Sequence, residues 1–295
     1  MIKNHKVAVI TSFNKQLFLE YGLKFIESYS LPFDLILYSE KPFNVKDYTT
    51  HFKSKFFHEI LYSDDLEFKE YQLNLGPELI NTTKDNCNYD CDSFCFKHNQ
   101  KIQTKKCLFC NNYRHAHTGK CIECSGGANE IVNITKKFSF KVFSVLNAYY
   151  KYSKNYKYFI WIDGDSKILK PFNYEDIKTF TNNTNFMMAY LKRYFTYSEC
   201  GFIIFNLLNE HIQEYFTKIR HLYLSDDVYL LPQTHDSWVW DYVRTELEKT
   251  TNVINFDLTN DWCKNNQING NTDIISHSVV KDYVYHFKGK RKKLM

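Results

Sequence analysis

Two aspartates separated by one glycine, Asp163-Gly164-Asp165, end an apolar run, Phe159 to Ile162. Such a run reads as a strand buried on both faces, and its end is where the sheet meets solvent. In an open α/β sheet that edge takes ligands. The two carboxylates repel each other, and no basic residue follows until Lys167. A divalent cation relieves the repulsion, and hard oxygen donors suit Mg²⁺ or Mn²⁺. Asp-Gly is also an ordinary turn dipeptide. An EF-hand loop matches poorly: its third-ligand, glycine and bidentate glutamate positions would be Lys167, Ile168 and Tyr174.

A second set of donors lies at the far end of the chain. His286 interrupts the apolar run Tyr283 to Phe287, and a basic tail with Gly289 and Lys292 follows. Two carboxylates and one imidazole give Mn²⁺ three protein ligands, and the open positions suit a diphosphate. Gly289 allows close backbone approach, and the lysines neutralise phosphate charge. The chemistry that needs this set is departure of a nucleoside diphosphate from a sugar.

A third set is the cysteines. Seven of the nine fall between Cys87 and Cys124, in a stretch with few aliphatic residues. Such a stretch buries little core and needs a staple. Cys107-x2-Cys110 and Cys121-x2-Cys124 are two knuckles with the spacing of a structural Zn²⁺ site. Cys87, Cys91, Cys95 and one histidine (His98, or else His115 or His117) form a candidate second site. In a cytosolic chain zinc is favoured over disulfides. A recognition module and an inserted stabilising knob both fit this segment.

The elements that would position these residues read as α/β. Lys6 to Thr11, Phe33 to Ser39 and Phe57 to Tyr62 are strands, and Gln16 to Tyr29 has helical spacing. Strand, helix and strand in this order predict a parallel sheet. The loop Thr11, Ser12, Asn14 after the first strand is a nucleotide-binding position, and Ser12 or Asn14 also suits a helix N-cap. Lys136 to Tyr152 is a helix whose Lys141 lies off the apolar face, within reach of the sheet's carboxyl edge. Strands follow at Phe186 to Leu191 and Glu199 to Asn206, where Gly201 leaves space for a ligand. Asn209 to Tyr223 is an amphipathic helix. Another helix covers Trp238 to Leu247, with Asp236 as its expected cap. Val253 to Leu258 is a late strand. The division predicted is 1–80 and 129–295 as one α/β body, with 81–128 as the cysteine-rich insertion.

The chain has 295 residues, 44% of them hydrophobic, so a full core is affordable. Five of its basic groups, matching the net charge of +5, lie after Phe287. The rest is balanced, which argues against a nucleic-acid surface and leaves room for a local anion site. No apolar run reaches membrane-spanning length and no signal peptide is evident, so the expected location is cytoplasmic.

Taken together, these motifs resemble metal-dependent glycosyltransferases of the GT-A fold. Asp163-Gly-Asp165 looks like their DxD motif. His286-x2-Gly289-x2-Lys292 looks like the terminal H-x2-G-x2-K of the glycogenin and bacterial galactosyltransferase group. Cys200-Gly201-Phe-Ile-Ile-Phe-Asn206 is similar to that group's strand after the DxD. The likeness covers most of the chain outside the cysteine segment. It implies a GT-A, Rossmann-like sheet and transfer of a sugar from a nucleotide sugar to a glycan, protein or small-molecule acceptor. Asp163 would touch donor ribose and metal, while Asp165 and His286 would bind the metal. Lys141 would contact donor phosphate, Lys292 the diphosphate, and Asp236 the transferred sugar or acceptor hydroxyl. Ser237 stands where retaining members often carry glutamine, and the family's Pro-Trp after the tail lysine is replaced by Lys293-Leu294. An inverting enzyme would use Asp236 or Glu199 as general base; a retaining one needs none.

Two rival readings use the same residues. In a haloacid-dehalogenase-like phosphatase, Asp163 would be the nucleophile, Asp165 the acid/base and Asp226-Asp227 the later acidic pair. In a non-enzymatic adaptor, the zinc module would bind a partner and the α/β body would only carry it.

Overall fold

The computed structural model describes residues 6–43, 45, 56–73, 92–95, 100–103, 127–194, 196–231, 233–266 and 272–287. For 92–95, 100–103, 127–131 and 230 it describes the backbone alone. The chain opens with β1 (Val7–Phe13), and a continuous helical stretch follows: α1 (Lys15–Leu17), a π-helical turn (Phe18–Gly22) and α2 (Leu23–Ser28). Next come β2 (Asp34–Ser39), β3 (Phe56–Ile60), α3 (Leu61–Asp64), α4 (Leu66–Leu73), β4 (Asp92–Cys95) and β5 (Gln100–Gln103). The long helix α5 (Gly127–Tyr152) leads into β6 (Tyr158–Ile162), β7 (Ser166–Ile168), α6 (Tyr174–Phe180), β8 (Met188–Leu191) and β9 (Glu199–Asn206). The chain then runs through α7 (Ile212–Leu224), α8 (Asp236–Thr250), β10 (Phe256–Asp257), α9 (Asp261–Asn265) and β11 (Val284–His286).

Seven strands form one sheet in the order β10-β8-β9-β6-β1-β2-β3. All the pairings are parallel except the two that β9 makes, with β6 and β8. This is the mostly parallel α/β sheet flanked by helices that the strand-helix alternation predicts. Side chains alternate across it, as the period of a strand requires. From β1, Ala8 and Ile10 pack with Val142, Phe143, Phe216, Val239 and Trp240 of α5, α7 and α8. Val7 and Val9 face the opposite way, toward Phe25 and Ile26 of α2 and Ile177 of α6. The result is three layers, with β6 buried along its whole length at the centre.

The sequence bounds shift where tertiary contacts take over. Strand β3 stops at Ile60 and the chain turns directly into α3, because the Asp64 carboxylate accepts the Ile60 N–H at 2.7 Å. The late strand shrinks to Phe256–Asp257. Strand β7, three residues long, is invisible to periodicity. It exists because β11 pairs with it antiparallel, with His286 opposite Ser166.

Two flanks of the cysteine-rich segment are tied together. The Gln72 side chain donates to Lys136 O at 3.1 Å and to Ser139 Oγ at 2.7 Å, and Lys136 Nζ donates to Gln72 O at 2.9 Å. The end of α4 therefore lies against the interior of α5, past its start at Gly127. Between them the hairpin β4-β5 is described by its backbone. Cys87, Cys91, His98, Cys107, Cys110, Cys121 and Cys124 lie outside the described residues, as does the side chain of Cys95. No helix among the described residues is long and apolar enough to cross a membrane.

Candidate active site

The strand order reverses between β1 and β6: from β1 the chain moves out through β2 and β3, then returns to the other side as β6. Such a switch point opens a crevice at the carboxyl ends of the parallel strands. A cleft of about 220 Å³ lies there. Ser12, Phe13, Asn14, Leu17, Tyr21 and Glu40 line it from the β1 and β2 side of the sequence, together with Lys137, Phe138, Phe140 and Lys141 of α5, Trp161 of β6 and Asp236 of α8. Asp163, Gly164 and Asp165 complete the lining.

Each acidic residue is placed by backbone. Asp163 N–H donates to Gly201 O at 2.9 Å, which carries the β6–β9 ladder one residue past β6. Asp165 O accepts the Phe287 N–H at 2.9 Å, which brings β11 alongside. His286 thus reaches the acids from 121 residues away, its Nε2 3.1 Å from Asp165 Oδ1. The same nitrogen is 3.7 Å from Asp163 Oδ2. One ligand atom from each of the three residues falls within 4.8 Å of the other two. Gly164 is required by packing, since a Cβ there would come 2.1 Å from the buried Phe13 ring. The space it saves is filled by protein.

Asp163 divides its two oxygens. Oδ1 accepts the Trp161 indole N–H at 2.7 Å and pairs with Lys141 Nζ at 2.7 Å. Oδ2 is the oxygen turned to His286. Burial pushes the Asp163 carboxyl up, against the pull of Lys141 and His286. Lys141 is buried, which opposes its charge, yet the Asp163 and Asp236 carboxylates hold it well above the usual lysine range. Its ammonium also pairs with Asp236 Oδ2 at 2.9 Å and donates to Cys200 O at 2.9 Å. Burial likewise opposes charge on His286, and the Asp165 hydrogen bond reverses it, so the imidazole sits above its ordinary value.

The donor set fits a divalent cation. Two carboxylate oxygens and one imidazole nitrogen are ligands of Mn²⁺ type. Adjacent ligands of an octahedral ion with bonds of 2.0–2.1 Å stand about 3 Å apart. The 3.1 and 3.7 Å separations at His286 Nε2 are close to that edge.

Other residues singled out by sequence are placed as follows. Ser12 and Asn14 line the cleft, whereas Thr11 is fully buried in β1 and does not. Asn14 is the helix N-cap: its Oδ1 accepts the Leu17 N–H at 2.8 Å. Burial pushes the Glu40 carboxyl up, against the pull of Asn14 and Lys41. His235, not Asp236, caps α8, its Nδ1 accepting the Trp238 N–H at 3.2 Å. The sequence reading assigned that cap to Asp236, but Lys141 draws its carboxylate into the cleft. Glu199 is buried, ion-paired with the buried Arg193, and accepts the Gly201 N–H at 3.1 Å. The space expected above Gly201 holds the His286 ring. Gly289 and Lys292 lie outside the described residues.

Sequence reasoning missed Trp161, Tyr21, Phe13 and Glu40. Trp161 was legible, because residues two apart on a strand share a face and Trp161 precedes Asp163 by two. Nothing local marks Glu40, which reaches the cleft only through the pairing of β2 with β1.

No protein-family model matches the sequence, and neither does any curated relative. Solved structures do share its outline. The apo form of mouse xyloside xylosyltransferase 1 is 11% identical, with a TM-score of 0.48 over 97% of this chain and 98% of that one. A glycosyltransferase involved in the glycosylation of the major capsid of PBCV-1 is 12% identical, at TM-score 0.41 over 98% of this chain and 100% of that one. The mannosyltransferase Ktr4p of S. cerevisiae is 10% identical, at TM-score 0.37 over 78% and 63%. At such scores the resemblance is one of general outline, and what the chain does is read from its side chains.

Proposed function

We propose that this chain is a GT-A-type glycosyltransferase. It moves a sugar from a nucleoside diphosphate sugar to an acceptor hydroxyl, with Mn²⁺ or Mg²⁺ held by Asp163, Asp165 and His286. The observation that carries this is the convergence of the three ligand atoms within 4.8 Å, from two distant stretches, at the switch point of the sheet. When bound, the cation would neutralise charge building on the departing diphosphate.

The chain's own groups divide the remaining work. Asp163 offers Oδ2 to the cation because Oδ1 is already fixed by Lys141 and Trp161. Tyr21 and Glu40, which line the cleft, would offer a ring and a hydrogen-bond acceptor to the nucleoside. Asp236 lines the same cleft and keeps the role toward the transferred sugar or the acceptor hydroxyl that the family resemblance gives it. If the reaction inverts configuration, Asp236 is the base, since Glu199 is sealed against Arg193. Lys137, at the cleft rim, is available to phosphate, while Lys141 serves Asp163 and Asp236. Gly289 and Lys292 keep the diphosphate role that the family resemblance gives them.

A phosphatase is not favoured. Asp226 sits in a left-handed turn, φ 62°, after α7, and neither it nor Asp227 lines the cleft. That reading also gives His286 no task. For 81–128 we keep the structural zinc site of Cys107, Cys110, Cys121 and Cys124, with metal analysis of the purified chain as its test.

The test of the main reading is a panel of uridine- and guanosine-linked sugars, with and without Mn²⁺, scored by thermal shift and donor hydrolysis. One donor is expected to stabilise the protein only with Mn²⁺, and Asp165→Ala to abolish the effect. Equal stabilisation without metal would overturn it.

A further inference from the structure

The residues at the start of β9 build the seat of the third metal ligand. Glu199 and Gly201 are two apart on one strand, so they share a face. A Cβ at Gly201 would lie 2.9 Å from His286 Nδ1, 3.0 Å from its Cε1 and 3.4 Å from Glu199 Oε1. The imidazole therefore rests directly on the glycine through its Nδ1 and Cε1 edge, and the Glu199 carboxylate borders the same glycine. His286 is only 5% exposed, so its ring has little room to retreat.

The chemistry of the ring explains the arrangement. Nε2 is the nitrogen that faces Asp163 and Asp165. A histidine that ligates through Nε2 is neutral and carries its proton on Nδ1, and that N–H needs an acceptor. Histidine ligands usually donate this proton to a carboxylate or carbonyl, which fixes both tautomer and orientation. Glu199 is suited to the task. One of its oxygens is paired with Arg193, and Oε1 takes the Gly201 N–H at 3.1 Å. A carboxylate oxygen has a second lone pair for another donor.

We propose that Glu199 and Gly201 are positioning residues for the metal site: Gly201 makes room for the His286 imidazole, and Glu199, anchored by Arg193, orients it through Nδ1. This rests on the metal reading above and replaces the general-base role the sequence suggested for Glu199.

The test measures Mn²⁺ binding to the full chain by EPR of the free ion, for wild type, Gly201→Ala and Glu199→Gln, with the unfolding temperature of each metal-free protein. Gly201→Ala and Glu199→Gln are each expected to weaken Mn²⁺ about ten-fold or more. Metal-free Gly201→Ala should still fold cooperatively but unfold below wild type, because the added methyl displaces a ring with little room to retreat. Wild type that binds Mn²⁺ together with variants that bind it as tightly overturns this inference alone. So does Glu199→Gln that keeps Mn²⁺ affinity but loses turnover at saturating metal, the signature of a base. Wild type that binds no Mn²⁺ overturns the metal reading and the seat with it. Should Glu199→Gln fail to fold, the Mn²⁺ affinity of Gly201→Ala decides.

Discussion

Lys141 directs its ammonium at three protein acceptors, Asp163 Oδ1, Asp236 Oδ2 and Cys200 O, at 2.7, 2.9 and 2.9 Å. An ammonium has three hydrogens, so this set uses them all. Its helical position showed that it reaches the sheet edge; the acids that receive it were hidden, because one lies 22 and the other 95 residues further on. Lys141→Met would leave two largely buried carboxylates without their cation. The loss of stability should be about 3–5 kcal/mol, read from urea unfolding. Gly164→Ala tests the neighbouring contact. Its methyl would intrude on the Phe13 ring, which is itself 2% exposed, so relief must come from backbone movement at the acids. A cost of about 1–3 kcal/mol and weaker Mn²⁺ binding are expected, by thermal unfolding and EPR.

The elements that matter most are the two shortest strands at the site. Strands β7 and β11 have three residues each, too few to show a period, and each exists only as the other's partner. Their ladder ends in the bond from Phe287 N–H to Asp165 O, which sets His286 beside Asp165. Phe287→Pro removes that donor while leaving His286 in the extended conformation that a residue before proline prefers. The expected cost is about 1 kcal/mol in global stability. The larger effect should be on Mn²⁺ affinity, and the comparison of the two measurements checks it. The long strands behave differently. Strand β9 was legible to the residue, Glu199 to Asn206, because all eight of its positions are buried and an unbroken apolar middle leaves only one reading.

At the scale of the molecule, α4 and α5 are tied directly to each other on either side of residues 74–126 in the sequence. The bonds from Gln72 to Lys136 and Ser139 join the flanks without needing the chain between them. Replacing residues 74–126 by a short glycine-serine linker should therefore keep the circular dichroism of the α/β body and its Mn²⁺ affinity. Loss of both would show that the insertion is part of the core. The sequence by itself determined the layers, since buried strands and amphipathic helices announce themselves through local hydrophobic period. It also determined the three candidate ligands, since Asp-Gly-Asp and a histidine in an apolar run are local chemical oddities. Only the tertiary structure decided that Lys141 binds Asp163 and Asp236, that Gly201 seats His286 rather than a ligand, and that His235 caps the helix Asp236 begins. The first two are contacts between residues far apart in the chain, set by strand register and packing, and no local pattern encodes a register; the cap is local, but it falls to His235 because distant Lys141 takes the Asp236 carboxylate.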